Sequence, residues 1–588
     1  MPTPQASEID LARFWRRTSK AIAYIDPKCV FGILTAILTA FALAVILYNL
    51  TGKTITNRQA RSEFSKMTQA QQMSLFPRRK VEELVEDIEK LTKEIQELYC
   101  QDDIPWIVGV SFGKDSSAVL QLIWYAIAAL APEKRTKTIY VITTDTQVEN
   151  PIVSAWVRNC IKQVKLAALE QGMPIEPNLL HPSVQETFWV CLIGRGYPAP
   201  RNGFRWCTDR MKIQPVNHFI REMIRVQGET IVVLGTRKAE SATRAATMKR
   251  HEAGRLRDRL SPNARLPNSL IYTPIEDWRN DEVWIYLNQW QNPWGGNNKN
   301  LFSMYRGATA DNECPLVVDT STPSCGDSRF GCWVCTMVNQ DKSMEAMIQN
   351  DEEKEWMQPL LDIRNELDLE NDRDKRDFRR IWGEVQLFER NVDGETSVEP
   401  IPGPYTKYWR EHWLRRVLEA QTKIRQTAPP EMRDITLITG EELSEIRRIW
   451  LEEKHEFDDS LPRIYKQVTG EKFKDPRPGA DRTLLGSDEW AVLEEICEDD
   501  AMHLELMAKL LDTERQYRNK ARRTGIYDAL EQCFETSSRS KEEAIANARY
   551  KRDLKNAAEQ GNVDKVKQLN WASLKFPGGD IEDEDTDD

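Results

Sequence analysis

The sequence is poor in cysteine and histidine. The few cysteines indicate a specific kind of site, whereas the few histidines do not. Eleven cysteines among 588 residues are too few for a disulfide scaffold. Four of them fall between Cys314 and Cys335, and this clustering indicates a metal site in a reducing compartment. The six histidines are scattered along the chain and none is assigned a role. The sequence also shows no clear internal repeat.

Length and composition indicate a large globular chain. A chain of 588 residues is long enough for two or three domains. Apolar residues make up 40% of the chain and 18 tryptophans are present, which excludes a largely disordered protein. The net charge is −11, but residues 580–588 hold seven acids, so the rest of the chain carries only −4. The overall charge therefore neither requires nor excludes a nucleic-acid partner.

One uncharged run, residues 30–50, is long enough to span a bilayer. Basic residues flank it on both sides, so charge gives no orientation, and no signal-peptide cleavage site is evident. Two interpretations stay open for the N-terminal extension 1–75. The run is a membrane anchor of a cytoplasmic enzyme, or the start is misassigned and the chain begins near Met73; we favour the second.

Apolar runs alternate with helical patterns from residue 80 to about 340. Residues 80–99 have the spacing of an amphipathic helix, and short apolar runs at 106–110, 138–143, 176–181 and 230–235 have the character of strands. This alternation predicts an α/β fold with a doubly wound, mostly parallel sheet in a domain spanning 76–340. Residues 341–575 form a charged helical region in which 441–457 is a solvated helix, and 576–588 form an acidic disordered tail.

The segment from Ser111 to Ser117 (SFGKDSS) lies between a buried strand and the start of a helix. Small residues there leave backbone N–H groups free to hold phosphate, and a helix N-terminus favours an anion. Lys114 adds a positive charge. The spacing is not that of a Walker motif, and the alternative is an ordinary strand-to-helix turn.

Two further segments carry candidate ligand-binding groups. Asp145 follows the second predicted strand, where it can approach a nucleotide or its Mg²⁺; a structural helix cap is the alternative. Cys207 lies within Arg205–Lys212 (RWCTDRMK), where neighbouring cations should lower its pKa and make it a sulfur acceptor, although a buried inert cysteine is the alternative. The cations suited to phosphate or sulfate are Arg205, Arg210, Lys212, Arg237 and Arg244.

The four clustered cysteines, Cys314, Cys325, Cys332 and Cys335, can converge on one metal centre. Only one Cys-x₂-Cys pair is present, so the spacing favours a [4Fe–4S] cluster over zinc. Nearby, residues 241–265 hold seven basic residues against two acids. This basic strip could follow a phosphodiester backbone, and a solvated loop is the alternative.

The loop SFGKDSS resembles the S-G-G-K-D-S loop of the pyrophosphate-loop ATP pyrophosphatases, with Phe112 in place of a glycine. The resemblance implies an adenine nucleotide alpha hydrolase-like, Rossmann-like fold and cleavage of ATP between its α and β phosphates. Residues 205–212, 235–241 and 274–284 are similar to the phosphoadenylylsulfate reductase branch of that family. The ATP-binding residues implied are Ser111, Gly113, Lys114, Asp115, Ser116, Ser117, Asp145, Gly235 and Arg237.

The combination resembles the sulfurtransferases of DNA phosphorothioation (Dnd) systems, over roughly residues 76–349. It implies replacement of a non-bridging oxygen of the DNA backbone by sulfur, with ATP, Mg²⁺ and a [4Fe–4S] cluster as cofactors. DNA, a cysteine desulfurase and other Dnd-system proteins are the implied partners, and Cys207, Lys114 and Asp115 the implied catalytic residues. A phosphoadenylylsulfate-type reductase, a tRNA thiolase and a nucleotide-sensing binding module stay open as alternatives.

Overall fold

The structure is a computed structural model, and it describes a defined part of the chain. The described residues are 79, 81–201, 203–240, 242–252, 259–308, 331–381, 383–392, 395–477, 487–497, 500–518, 520, 522–537, 540–562 and 565. The apolar run 30–50, the acidic tail, Cys314 and Cys325 lie outside them. Among the described residues, no helix combines the length and the apolar character needed to cross a membrane.

A six-stranded sheet forms the centre of the N-terminal half. Five of its strands run parallel, and the sixth, β5, pairs antiparallel with β6 at one edge. The order across the sheet is β3-β2-β1-β4-β6-β5, which confirms the predicted doubly wound, mostly parallel sheet. The strands are β1 (Trp106–Gly109), β2 (Ile139–Thr144), β3 (Ile175–Leu180), β4 (Thr230–Leu234), β5 (Ser261–Pro262) and β6 (Ser269–Tyr272).

Helices connect these strands, and the apolar runs of the sequence explain where each one lies. β1, β2 and β4 are almost entirely buried, as strands covered on both faces must be. The helices of this half are α1 (Val81–Gln101), α2 (Lys114–Ala128), α3 (Pro151–Glu170), α4 (Trp206–Thr208), α5 (Gln214–Gln227), α6 (Ala242–Glu252), α7 (Asn280–Gln289) and α8 (Asn298–Gly307). A wide helical turn, Asp209–Ile213, joins α4 to α5.

The C-terminal half is helical, as predicted, apart from one antiparallel hairpin. The hairpin consists of β7 (Leu387–Val392) and β8 (Glu395–Pro400). The helices are α9 (Lys342–Asn350), α10 (Gln358–Leu367), α11 (Lys407–Thr427), α12 (Gly440–Arg448), α13 (Ser460–Thr469), α14 (Ser487–Ile496), α15 (Ala501–Arg518), α16 (Ile526–Ser537) and α17 (Lys541–Glu559).

The helical half packs directly against the sheet-bearing half. The buried segment Val190–Gly194 belongs to the same hydrophobic cluster as α11, α12 and α13. Two tryptophans cross this contact with hydrogen bonds, Trp189 Nε1 to the Leu437 carbonyl at 2.7 Å and Trp450 Nε1 to the Ile193 carbonyl at 3.0 Å. A continuous core therefore runs across the predicted boundary near residue 340, and that boundary stays a prediction.

One sequence-based prediction about the helical half is wrong. Helix α12 lies in the segment 441–457, which we expected to be solvated, yet Glu442, Ser444 and Arg447 are buried. Arg447 forms ion pairs with Asp459 at 2.6 Å and with Asp475 at 3.0 Å. Because these charges are satisfied inside the protein, a highly charged pattern is compatible with burial.

Candidate functional site

The loop after β1 lies at the point where the order of the strands reverses. β1 pairs with β2 on one side and with β4 on the other, so the connections after β1 and β4 depart in opposite directions. In open α/β sheets, this is where a ligand cleft forms at the carboxyl ends of the strands. The segment Ser111–Ser117 occupies this position, and it lies between a buried strand and the start of a helix, as the sequence predicted.

The loop is held in shape by its own small polar side chains. Ser116 Oγ accepts a hydrogen bond from the Ser111 backbone N–H at 3.1 Å and lies 3.2 Å from Ser111 Oγ. The same hydroxyl is 3.3 Å from the carbonyl oxygen of Gly113, the N-cap of α2. The first residues of α2 line the cleft, and the dipole of a helix N-terminus favours a phosphate there.

Phe112 shows why the family pattern has a glycine at its position. Its φ angle is +53°, in the left-handed region where a side chain is unfavourable. The Phe112 side chain is only 1% exposed, so packing offsets this strain. Its carbonyl accepts a hydrogen bond from Trp156 Nε1 at 3.1 Å, which further fixes the turn. The substitution thus retains the backbone conformation that glycine ordinarily supplies.

Lys114 and Asp115 begin helix α2 and are held by different partners. Lys114 Nζ lies 3.4 Å from Asp115 Oδ2 and 5.5 Å from the centre of the Tyr305 ring. Asp115 Oδ1 accepts a 2.7 Å hydrogen bond from Arg237 Nε. Arg237 is buried and also donates to the carbonyl of Trp278 at 3.3 Å. The predicted ATP ligand Arg237 therefore lies behind Asp115 and positions it.

The end of β4 approaches α2 more closely than a side chain would allow. A Cβ on Gly235 would lie 3.0 Å from the backbone carbon and oxygen of Asp115 and 3.2 Å from the Ser116 nitrogen. Glycine is needed here because two backbones meet directly. The contact brings the β4 loop against the phosphate-binding loop.

Asp145 is buried at the carboxyl end of β2 and lines the cleft. Its Oδ1 accepts a hydrogen bond from the Gln147 backbone N–H at 2.8 Å, and its Oδ2 lies 3.1 Å from Arg158 Nη2. The helix that follows is capped instead by Asn150, whose side chain accepts from the Ile152 N–H. The helix-cap alternative for Asp145 is therefore wrong, and its carboxylate is available at the cleft wall.

Together these segments enclose a cleft of about 660 Å³. Of the nine predicted ATP-binding residues, Ser117 and Arg237 do not line it. Ser117 is buried in the first turn of α2, where its N–H donates to the Gly113 carbonyl at 2.9 Å. The predicted residues that line the cleft are Ser111, Gly113, Lys114, Asp115, Ser116, Asp145 and Gly235.

A thiol lies directly beside this cleft. Cys332 Sγ is 3.3 Å from the hydroxyl of Thr146 and 3.8 Å from Glu149 Oε1. Lys212 Nζ lies 3.4 Å from the same Glu149 oxygen, and Glu149 and Lys212 both line the cleft. Burial raises the pKa of Cys332 to about 12, and proximity to Cys332 and Glu149 raises the pKa of Lys212.

Cys207 lies close enough to Cys335 and Lys212 for their charges to act on it. Burial nevertheless raises its pKa, and this outweighs the opposing influence of Thr208 and Lys212. The lowered pKa that we predicted for Cys207 is therefore wrong in direction, because the neighbouring cation does not compensate for desolvation. Its role as a sulfur acceptor stays a prediction.

The metal ligands are described only in part. Cys332 and Cys335 are joined by a tight turn, in which the Cys335 N–H donates to the Cys332 carbonyl at 3.1 Å. Within the described ranges, no group of three potential ligands could hold a metal ion. The donor chemistry suits a thiolate-ligated group, since Cys335 and the cation Lys212 both lie close enough to Cys332 to act on its charge. The four-cysteine set, the [4Fe–4S] cluster and zinc stay predictions.

The predicted phosphate-binding cations have different environments. Arg205 is exposed, while Arg210 pairs with Glu186 and donates to Tyr197 Oη at 3.1 Å. The side chain of Arg244, on α6, and part of the basic strip 241–265 lie outside the described residues. Of the described strip residues, Arg259 pairs with Glu94 at 3.1 Å.

The sequence analysis did not identify Glu149, Arg158 or Tyr305. Glu149 follows Asp145 by four residues at the same end of β2, so the strand-end argument could have included it. Arg158 lies about two turns into α3, a position that becomes meaningful only once the start of the helix is known. Tyr305 has no sequence signal, because its hydroxyl reaches the Lys114 N–H, at 3.5 Å, across 191 residues of chain.

Comparison with known proteins agrees with this architecture. Residues 105–295 match the sequence profile of the phosphoadenosine phosphosulfate reductase domain, the enzyme class also called phosphoadenylylsulfate reductase. Those residues therefore form a domain similar to that reductase domain. The chain is also 27% identical over 183 residues to an uncharacterized protein of Methanocaldococcus jannaschii. The match spans about a third, 31%, of the length of each chain.

Two solved structures are similar to parts of the chain. A phosphoadenylyl-sulfate reductase from Candida auris shares 14% identity with a TM-score of 0.23, covering 36% of this chain and 88% of that one. The U34-tRNA thiolase NcsA from Methanococcus maripaludis, solved with its [4Fe–4S] cluster, shares 15% identity with a TM-score of 0.22. That similarity covers 34% of this chain and 63% of the thiolase.

Proposed function

We propose that the chain is an ATP-dependent sulfurtransferase of DNA phosphorothioation, similar to DndC. The observation that carries the proposal is the shared cleft: the phosphate-binding loop and the Cys332 thiol meet there through Glu149 and Lys212. A nucleotide-activating site and a sulfur-bearing site must be adjacent in an enzyme that places sulfur on an activated phosphate. The reductase-like match over 105–295 is consistent with sulfur chemistry in this domain.

In the first step, ATP binds with its phosphates at the N-terminus of α2 beside Lys114. A non-bridging oxygen of the acceptor phosphate attacks the α-phosphorus of ATP, and the bond to the β-phosphate breaks with loss of pyrophosphate. Lys114 and the α2 N–H groups offset the negative charge that develops. Asp145, at the wall of the cleft, would hold Mg²⁺, which binds carboxylate and water oxygens. Arg237 holds the Asp115 carboxylate with the 2.7 Å hydrogen bond. This bond keeps the first turn of α2 in position.

In the second step, a sulfur nucleophile attacks the acceptor phosphorus and AMP leaves. Adenylylation makes this displacement possible because AMP is a far better leaving group than oxide. In one route the sulfur arrives as a persulfide on Cys207: its outer sulfur bonds to phosphorus as AMP leaves, and a second thiol then attacks the Cys207 sulfur, which forms a disulfide and releases the phosphorothioate. In the other route the sulfur would come from the group that the cysteines would hold. A [4Fe–4S] cluster, when bound by Cys332 and Cys335 with further cysteines, would supply iron able to carry sulfide. Lys212, which lies near Cys332 and Cys207, would balance the negative charge of the incoming sulfur.

The proposal is tested by Lys114→Ala, with pyrophosphate release from ATP measured in the presence of DNA, a cysteine desulfurase and cysteine. Removing one preorganised positive group from a reacting phosphate should lower the rate about 100-fold or more. Lys134→Ala is the matched control, since Lys134 is exposed on the turn that follows α2. Equal rates in the wild type and in Lys114→Ala would refute the assignment of the loop.

The domain match favours one second candidate, a phosphoadenylylsulfate-type reductase that needs no DNA. Such an enzyme would release sulfite from phosphoadenylylsulfate with thioredoxin as reductant, and DNA would have no effect. Stimulation of pyrophosphate release by tRNA rather than by DNA would instead identify a tRNA thiolase. ATP binding without pyrophosphate release under any of these conditions would identify a nucleotide-sensing module.

A further inference from the structure

A second cleft, of about 650 Å³, opens at the carboxyl end of β3. His181 follows that strand directly, and one face of α5 supplies Asn217, His218 and Arg221. Because β1, β2 and β3 are parallel, this cleft and the nucleotide cleft open at the same edge of the sheet. The function proposed above does not use these four side chains.

Four donor side chains of this second cleft have no partner among the described residues, whereas its two acids, Glu186 and Asp209, are hydrogen-bonded by Arg210 and Gln214. Glu186 pairs with Arg210, and Asp209 Oδ2 accepts from Gln214 Nε2 at 3.0 Å. In the part of the chain that the structure describes, the side chains of His181, Asn217, His218 and Arg221 have no hydrogen-bond or ion-pair partner. A ligand rich in acceptor oxygens and negative charge would satisfy them.

The open character of the cleft favours a polymer over an enclosed small molecule. His181, His218 and Arg221 are all exposed, so the Arg221 charge and the side-chain N–H groups meet the ligand at the surface. A nucleic-acid backbone presents phosphates along a surface in this way, and most protein–DNA hydrogen bonds are made to it.

The two clefts share one structural element. The turn Asp209–Ile213 directs Lys212 into the nucleotide cleft, while Asp209 and Arg210 line the second cleft. A backbone bound along α5 would therefore pass beside the thiols and the loop that binds ATP.

We propose that the second cleft binds a backbone phosphate of the nucleic-acid acceptor through Asn217, His218 and Arg221. The acceptor strand then runs from α5 toward the nucleotide cleft, where a neighbouring phosphate is activated. This inference rests on the proposed function and deepens it, because it specifies where the acceptor strand lies on the protein surface.

The test is the affinity of the full chain for a short labelled DNA duplex, measured by fluorescence anisotropy between about 50 and 200 mM salt. The variant His218→Ala/Arg221→Ala should bind about tenfold more weakly, since charge-assisted hydrogen bonds are lost. For this variant, the slope of log affinity against log salt concentration should also decrease in magnitude by about one, because one cationic phosphate contact is removed. Arg221→Lys should restore the slope, and ATP affinity should be unchanged.

Arg225→Ala is the matched control, because Arg225 lies one turn further along α5 and pairs with Glu222 at 2.8 Å outside the cleft. Wild-type affinity and slope in the double variant, or an equal loss in Arg225→Ala, would overturn the proposal. If either occurs while the wild type still releases pyrophosphate with DNA, only the second cleft is refuted. The same loss with RNA but not with DNA would support the phosphate site and refute DNA as the acceptor.

Discussion

Replacing Phe112 by alanine and by glycine tests whether the loop depends on a left-handed residue. Phe112 is 1% exposed, and truncating a buried phenylalanine costs about 3–5 kcal/mol in the free energy of unfolding. Both variants lose this packing, so their difference reports on the backbone alone. At a φ of +53°, alanine retains a strain of about 1–2 kcal/mol that glycine relieves. Alanine regains only about 0.4–1 kcal/mol through the lower entropy of its unfolded chain.

Phe112→Gly should therefore be more stable than Phe112→Ala by about 1 kcal/mol, the reverse of the usual order. The assay is urea unfolding of both variants, with the midpoints compared at equal slope. Phe188 is the control, since it is equally buried at 1%, lies in a helical turn and lacks a positive φ. There alanine should be the more stable variant. An alanine variant at 112 as stable as the glycine variant, or more so, would refute the reasoning.

Three further changes follow from contacts near the loop, in the helical half and at the thiols. Gly235→Ala would place a methyl group 3.0 Å from the Asp115 backbone, so it should lower stability by about 1–3 kcal/mol and weaken ATP binding. Gly440→Ala, with open space around its Cβ, should leave both unchanged in urea unfolding and ATP titration. Burial alone would raise the pKa of Asp475, but hydrogen bonds from Arg477, Ser444 and Arg447 hold it below the ordinary value. This stabilisation is present above the unfolded pKa, about 3.9, and is lost as pH falls through the folded pKa. The urea midpoint of Asp475→Asn should therefore lie below that of the wild type at neutral pH and converge with it in acid; a gap independent of pH would contradict this. In anaerobically purified protein, Cys332→Ser should lose the iron and the visible absorbance of a cluster, whereas Cys100→Ser, at an exposed site, should keep both. One zinc per chain and no iron in the wild type would instead make the cysteines a structural clip.

The strands and the position of the loop Ser111–Ser117 could be predicted because their signals are local. β2 was expected at 138–143 and occupies Ile139–Thr144, since a run of β-branched and apolar residues fits a strand buried on both faces. The loop was recognised from seven consecutive residues. Its position at the strand reversal then follows from the order of the sheet.

Contacts between distant residues could not be predicted in the same way. Arg237 was expected to bind ATP, but it pairs with Asp115 across 122 residues of chain. The pKa of Cys207 depends on its burial, and no sequence pattern reports how deeply a cysteine lies. Helix α12 was expected in solvent because its partners, Asp459 and Asp475, are supplied by later segments. In each case, the residue type suggested a role, but the sequence did not reveal which distant residues surround that side chain.

The position of the Cys332 thiol is set by main-chain hydrogen bonds. The Trp333 N–H donates to the Val148 carbonyl at 2.9 Å, and the Asn150 N–H donates to the Gly331 carbonyl at 3.2 Å. These bonds tie the cysteine segment to the residues just beyond β2, whose carboxyl end also carries Asp145. Because no cysteine side chain takes part in them, these bonds do not depend on the thiol itself. Backbone hydrogen bonds from the residues after β2 thus hold the cysteine segment beside the cleft that Asp145 lines.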